Sequence, residues 1–274
     1  MKSSVLDLLQ CPNCSSALLV TEDGKMCKCR GERSHCFDFS KSGYLNLSGP
    51  RGGEGDNKEA ILARRSFLNE GYYQPLSSKI CQILKEHNVK RVLDAGCGEG
   101  YYTNRLFDEM DVLGIDLSKN GIDLAAKTAK QKGNGFGFLI ASLFTMPIRN
   151  ESMDAVLNLF APCAEEEFLR VLKPGGLLVL VAAGERHLLG LKKTIYDNPY
   201  LNMGRADLPQ NMTLVSHDRL TYQACIRGNE QIMALFSMTP YYWRTSSTDR
   251  EKLQNLENLE TDLDFDIFLF RKDS

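Results

Sequence analysis

From residue 91 onward the apolar positions come in blocks. The runs "RVLDAG", "DVLGID", "FGFLIAS", "MDAVLNLF" and "GGLLVLVAA" are separated by stretches with helical spacing. Runs that are apolar almost throughout describe strands covered on both faces. Strands alternating with helices describe a mostly parallel, doubly wound α/β sheet with right-handed crossovers. Two later runs, "MTLVSHDRLTYQACIRG" and "LDFDIFLFRK", predict two more strands with a helix between them. Upstream, the pattern from Asp56 predicts a helix with Ala60, Ile61, Phe67 and Leu68 on one face, capped by Asp56 or Asn57 and ended by Gly71. The preceding "SGPRGGEGDNKE" has no periodicity and reads as an exposed linker. Residues 1–47 offer only short strand-like pieces, Ala17–Val20, Lys25–Cys29 and Gly43–Leu47, with a turn at Asp23-Gly24. The chain thus divides into a small N-terminal module (1–47), a linker (48–58) and an α/β domain (59–274).

Composition narrows the class. With 43% hydrophobic and 25% charged residues the chain buries an ordinary core. The net charge of −2 removes whole-molecule basicity as an argument for nucleic acid and leaves only local patches. No run approaches 18 apolar residues, so no membrane span is expected. The start "MKSSVLDLLQ" lacks the build of a secretory signal, and a cytoplasmic location is expected. Thiols stay reduced there, which argues against disulfides for "CPNCSSALLVTEDGKMCKCRGERSH". A lone Cys-x-x-Cys suits a redox pair, but a second half-site of cysteine and histidine turns the reading to structural zinc. A module of this size has too small a core to fold well alone, and zinc would substitute for one.

"VLDAGCGEG" closes the first strand of the sheet with Gly96, Gly98 and Gly100, spaced G-x-G-x-G rather than the dinucleotide G-x-G-x-x-G. Asp94 and Glu99 place carboxylates where a pyrophosphate would otherwise rest on helix N–H groups. That arrangement repels an anion and suits the sulfonium and ammonium of S-adenosylmethionine. Asp116 ends the second strand, placed to bind the ribose hydroxyls. The set "DxGxGxG … GID" resembles the class I (Rossmann-like) S-adenosylmethionine-dependent methyltransferases over residues 91–183. "NLFAPC" follows the fourth strand, where such enzymes meet the base to be methylated. Its Pro162-Cys163 pair raises the cytosine-C5 reading, in which a cysteine attacks the ring. The plainer reading is a small thiol lining the pocket. Asn158 stands where related folds place a polar residue against the target nitrogen.

The whole chain resembles a narrower family. "CPNC", "HCFDFSKSGYLNL", "GDNKEAILARRSFLNEGYYQPL", "VLDAGCGEGYYT", "RHLLGLK" and "MTPYYWR" occur in this order. Together they resemble the bacterial 23S rRNA (guanine-N1)-methyltransferases, which carry an N-terminal zinc-binding module. The resemblance implies S-adenosylmethionine and zinc as cofactors and a hairpin of 23S rRNA as substrate. One branch of that family contributes to resistance against macrolides such as tylosin. Cys11, Cys14 and His35 match its zinc ligands. For the remaining ligand this chain offers Cys27 and Cys29. Cys29-x5-His35 falls within ordinary zinc spacing and Cys27-x7-His35 does not, so Cys29 is preferred. Tyr73 and His187 match family positions at the cofactor site. From the residues alone they read first as a core aromatic and a helix-end surface histidine.

From Gly24 to Arg51 the basic residues Lys25, Lys28, Arg30, Arg33, Lys41 and Arg51 outnumber Glu32 and Asp38. His35, Phe37, Phe39 and Tyr44 are interleaved with them; the preferred reading is a grip on RNA by charge with some stacking, the alternative a solvated basic face. Rivals are a small-molecule methyltransferase and a zinc-dependent RNA-binding protein with a relic cofactor pocket. A homodimer is neither required nor excluded.

Overall fold

The computed structural model describes residues 3–49, 58–135, 137–205 and 207–273. Helix α1 (Ser3–Leu6) precedes a small antiparallel sheet of β1 (Leu18–Val20), β2 (Met26–Cys29) and β3 (Cys36–Asp38). After β4 (Leu45–Asn46) come α2 (Lys58–Asn69) and α3 (Gln74–Glu86). The alternating part runs β5 (Arg91–Ala95), α4 (Thr103–Leu106), β6 (Asp111–Asp116), α5 (Lys119–Gln131), β7 (Phe138–Ile140), β8 (Met153–Leu159), α6 (Glu165–Val171), β9 (Leu172–Ala183) and α7 (Leu189–Ile195). Two long strands follow, β10 (Thr213–Arg227) and β11 (Asn258–Arg271). Between them stand α8 (Asn229–Ser237), a 3-10 turn (Pro240–Trp243) and α9 (Ser247–Gln254).

The large sheet has the order β10-β11-β9-β8-β5-β6-β7-β4. From β4 to β9 neighbouring strands are parallel, and β11 runs antiparallel between β9 and β10. The order reverses beside β5, so the crevice at its C-terminal end is the expected ligand site. Successive side chains of β5 face opposite ways. Val92 joins Ile80, Leu84, Ile122 and Leu157 in one core, while Leu93 joins Ile115, Leu139, Val156 and Phe168 in the other.

The second core also contains Val5, Leu9, Leu18, Leu45 and Leu47. The N-terminal module therefore covers one face of the sheet as a layer of its own. β4, within the segment read as the module, pairs with β7 at the sheet edge, Leu45 opposite Leu139. Leu9 bridges to Ile148, and the Gln10 N–H donates to the Pro147 carbonyl at 3.0 Å. Burial of several leucines against the sheet, each worth about 1.5–3 kcal/mol, supplements what the small core of the module lacks. The turn at Asp23-Gly24 forms, with Gly24 at φ 67°. β3 was not expected from the sequence. In α2, Ile61, Phe67 and Leu68 are buried and Ala60 is half-buried, and Gly71 follows at φ 85°. The capping pair Asp56 and Asn57, Arg51 and most of the linker lie outside the described residues. No helix among the described residues is long and apolar enough to cross a membrane.

Candidate functional site

The β2–β3 hairpin and the Cys11–Ser16 turn bring four ligand atoms together. The sulfurs of Cys11, Cys14 and Cys29 and a ring nitrogen of His35 all lie within 4.8 Å of one another. The Cys14 and Cys29 sulfurs are 3.6 Å apart, and His35 Nδ1 lies 3.5 Å from Cys11 Sγ and 3.4 Å from Cys29 Sγ. A tetrahedron with Zn–S of about 2.3 Å and Zn–N of about 2.1 Å has edges of roughly 3.8 and 3.6 Å, close to these separations, so the donor set fits zinc. Ser15 at φ 57° closes the Cys11–Cys14 turn. Gly31 leaves room for Cys14, whose Sγ would lie 2.9 Å from a Cβ there. Cys27 is fully buried in the core shared with the sheet, and burial pushes its thiol up to about 11. It stands outside the cluster.

At the crevice, the loop after β5 takes three left-handed turns, with Gly96, Gly98 and Gly100 at φ 89°, 54° and 75°. A Cβ on Gly96 would lie 2.6 Å from Ala161 Cβ, and one on Gly100 2.7 Å from Ala125 Cβ. The loop is thus pressed between the end of β8 and α5, and only glycine satisfies both backbone and space. Asp94 is 1% exposed and accepts a hydrogen bond from the Thr103 hydroxyl at 2.5 Å. Burial pushes its carboxyl up to about 7, and Asp116 and Glu99 add to the rise against the Thr103 bond. Glu99 is buried and lies 3.8 Å from Arg64. Asp116 accepts from the Gly98 N–H at 2.9 Å and from the Ser118 N–H at 2.7 Å, which fixes its carboxylate at the end of β6. Three carboxylates around a glycine cradle fit a cationic cofactor that also carries ribose hydroxyls.

Tyr73 and His187, 114 residues apart, meet with Tyr73 Oη 3.2 Å from His187 Nε2. The Asp264 N–H donates to His187 Nδ1 at 3.2 Å, so the imidazole carries its proton on Nε2 and donates it to Tyr73 Oη. Burial lowers the His187 pKa to about 4, so the ring is neutral near pH 7. Burial likewise raises the Tyr73 phenol, which stays protonated and has its own O–H left to donate.

Sequence reasoning missed the supports of this pair. The Asp264 side chain is fully buried, accepts both Arg219 N–H groups at 2.7 and 2.5 Å, and also holds the Thr221 hydroxyl and the Arg186 N–H. Burial would raise its pKa, but these donors bring it down to about 2. Lys192, at the end of "RHLLGLK", is fully buried and donates to Asn202 Oδ1 at 2.6 Å and to the Tyr200 carbonyl at 3.0 Å. Asn202 in turn donates to the Gly184 and His187 carbonyls. A polar residue inside an apolar run was the available signal in both cases.

At the end of β8, Asn158 is buried. Its Nδ2 donates to the Pro162 carbonyl at 3.0 Å and its Oδ1 has no partner among the described groups. Burial raises the Cys163 thiol, the opposite of what an activated nucleophile needs. Tyr44, read with the RNA-stacking aromatics, is buried in the main core, and Phe37 and Phe39 are half-buried against the other core. The cations Lys25, Lys28, Arg30, Arg33 and Lys41 are exposed. A separate cleft between α2, α4 and α5 is lined by Arg65, Arg105 and Lys132 and reaches the glycine loop only through Glu99 and Gly100. Its cations make it unsuited to the cofactor.

Comparisons with known proteins agree with this fold. A family model described as "Methyltransferase domain" matches residues 86–262. YxjB of Bacillus subtilis, assigned as a 23S rRNA (guanine-N1)-methyltransferase, is 30% identical over 99% of this chain and 100% of its own length. The 23S rRNA (guanine(748)-N(1))-methyltransferase of Streptomyces fradiae is 29% identical over 70% of this chain and 69% of its own. A solved structure of a Bacillus halodurans protein described as a methyltransferase shares the fold with a TM-score of 0.50 at 15% identity. It covers 72% of this chain and 99% of that one. The fold is that of the class I S-adenosylmethionine-dependent methyltransferases, joined here to a Cys/His module suited to zinc, and the chain belongs to the 23S rRNA (guanine-N1)-methyltransferase family.

Proposed function

We propose that this protein transfers a methyl group from S-adenosylmethionine to N1 of a guanine in a hairpin of 23S rRNA, in the cytoplasm. The observation that carries this reading is the full-length match to YxjB, which takes in the Cys/His module as well as the methyltransferase body. The cofactor supplies an electrophilic methyl group on its sulfonium. Asp94, Glu99 and Asp116 provide the negative surroundings that hold a cation, and Gly96 and Gly98 let the backbone approach it. Tyr73 and His187 form a neutral wall whose free donor is the Tyr73 hydroxyl.

Guanine N1 has a pKa of about 9, so removing its proton at pH 7 requires about two units, or roughly 3 kcal/mol. A hydrogen bond to the charge developing on the base offsets part of that, and placement of N1 in line with the methyl supplies much of the remainder. N1 lies on the Watson–Crick edge, so the base must be unpaired or flipped out. The exposed cations of the module, and Arg65, Arg105 and Lys132 on the body, suit RNA phosphates. Zinc on Cys11, Cys14, Cys29 and His35 would hold the module in shape.

The test is a reverse-transcription map of 23S rRNA from a strain lacking the gene. Methylation at N1 blocks pairing, so one strong stop should vanish on deletion and return when the purified protein and cofactor act on protein-free rRNA. If no guanine stop changes, the assigned reaction is wrong.

A further inference from the structure

Among the described residues five that are not glycine have positive φ: Ser15, Asn88, Glu151, Phe160 and Leu188. Three are polar residues in turns. Leu188 is buried, so packing on all sides holds it in place. Phe160 is different, with φ 56° and a side chain 45% exposed. A bulky aromatic residue is disfavoured in this left-handed region, where glycine is at ease. Its own burial does little to offset that, because nearly half the residue faces solvent. Strain of this kind persists where the surroundings impose it, and it gathers at functional sites.

The surroundings are those of the reaction. Phe160 follows β8 directly, and its N–H donates to the Val181 carbonyl of β9 at 3.1 Å. Its ring centroid lies 6.4 Å from that of Tyr73 and 5.9 Å from that of Phe265, so one side rests on the wall that holds His187. Its neighbour Ala161 touches the cofactor loop at Gly96. The left-handed backbone thus leaves a half-open aromatic ring beside the cofactor loop. A purine removed from its helix is held in part by stacking on a ring of this kind.

We propose that Phe160 is the stacking surface for the target base, and that its strained backbone is retained because it presents the ring at the mouth of the cofactor crevice. This rests on the proposed reaction on rRNA.

A double-mutant cycle tests it. Binding of the hairpin is measured for the wild-type protein and Phe160→Ala, each with RNA carrying guanine or an abasic residue at the target position. Stacking of a base on an aromatic side chain is worth about five- to 150-fold in affinity. Removing the base should weaken wild-type binding by a factor in that range and leave Phe160→Ala binding nearly unchanged. Phe160→Ala should lose at least tenfold in kcat/KM for RNA with its affinity for S-adenosylmethionine unaltered, and Phe160→Tyr should retain most activity. Both small variants lack the ring, so their difference reports the backbone. Phe160→Gly should melt above Phe160→Ala and be as inactive. Absence of coupling between base and ring, or wild-type turnover in Phe160→Ala, overturns the proposal while leaving the rRNA reaction intact. If the wild-type protein methylates no guanine, it is the reaction that falls.

Discussion

In the Cys/His module the ligand contacts join residues 24, 15 and 6 apart in the chain, and every one is made between one turn and one hairpin. In the cofactor crevice the decisive contacts span 114 residues from Tyr73 to His187 and 77 from His187 to Asp264. The first arrangement is local, and a zinc ion held there would contribute much of its stability, because binding the ion is then part of the free energy of folding. The second exists only when β5, β6, β8 and β11 are in register. The two are nevertheless not independent, since Leu9, Leu45 and Leu47 of the module and Leu93, Ile115 and Leu139 of the sheet belong to one core. A local, metal-held unit therefore serves as a layer of a non-local fold.

The sharpest way to break the comparison is to remove the metal. Cys29→Ser should abolish zinc content in metal analysis, expose residues 1–47 to proteolysis and lower the melting temperature of the sheet it uncovers. Cys27→Ser should keep its zinc, because that thiol faces the core. Zinc retained in Cys29→Ser and lost in Cys27→Ser would reverse the ligand assignment.

Next in size is the charge on the module. Replacing Lys25, Lys28, Arg30 and Arg33 together by Ala should reduce RNA affinity on the order of a hundredfold and flatten its dependence on log salt by about 3 units. Cofactor affinity should stay unchanged. If the variant methylates rRNA like the wild type, RNA is gripped elsewhere.

In the crevice, Asp116→Ala removes the acceptor fixed by Gly98 and Ser118. Calorimetry should show S-adenosylmethionine affinity falling at least tenfold, about 2 kcal/mol for two charge-assisted bonds weakened. A smaller effect follows from Asp94, raised to about 7 by burial. A cationic ligand prefers the ionised form, so the ligand-free protein must release a proton on binding. Affinity should rise about tenfold from pH 6 to pH 8 and then level off, since a group with pKa near 7 passes from mostly protonated to mostly ionised over that range. Asp94→Asn should bind weakly with no such slope. The smallest effect is expected from Cys163→Ala, which should keep most activity because transfer to N1 needs no covalent intermediate. Full inactivation of a folded protein would return the cytosine reading.

Much of this was legible from pattern. The glycine triplet, Asp94 and Asp116 lie within one strand–turn–helix unit and the next strand, where local spacing describes what happens. The cysteines and His35 carry the distances that zinc needs, and the spacing preference for Cys29 agrees with the cluster in the structure. Other residues could not be placed that way. "GYLNL" reads as a strand of the module and keeps a bridge to Phe39 there, yet it also pairs with β7, far along the chain. Tyr44 looks like an RNA-facing aromatic among basic residues and is buried instead. Asp264 and Lys192 are polar positions in apolar runs whose partners, Arg219 and Asn202, lie elsewhere in the chain.

The sequence by itself determined the alternation of strands and helices from β5 onward, the cation-friendly loop and the cysteines and histidine among which the module's ligands are found, because each is carried by residue type and spacing along the chain. Tertiary structure alone decided that the module forms a layer of the sheet, that His187 is neutral with its proton turned toward Tyr73, and that Phe160 is held open in a left-handed turn. Those outcomes depend on burial and on hydrogen bonds between distant strands. Neither exists until the sheet has closed around them.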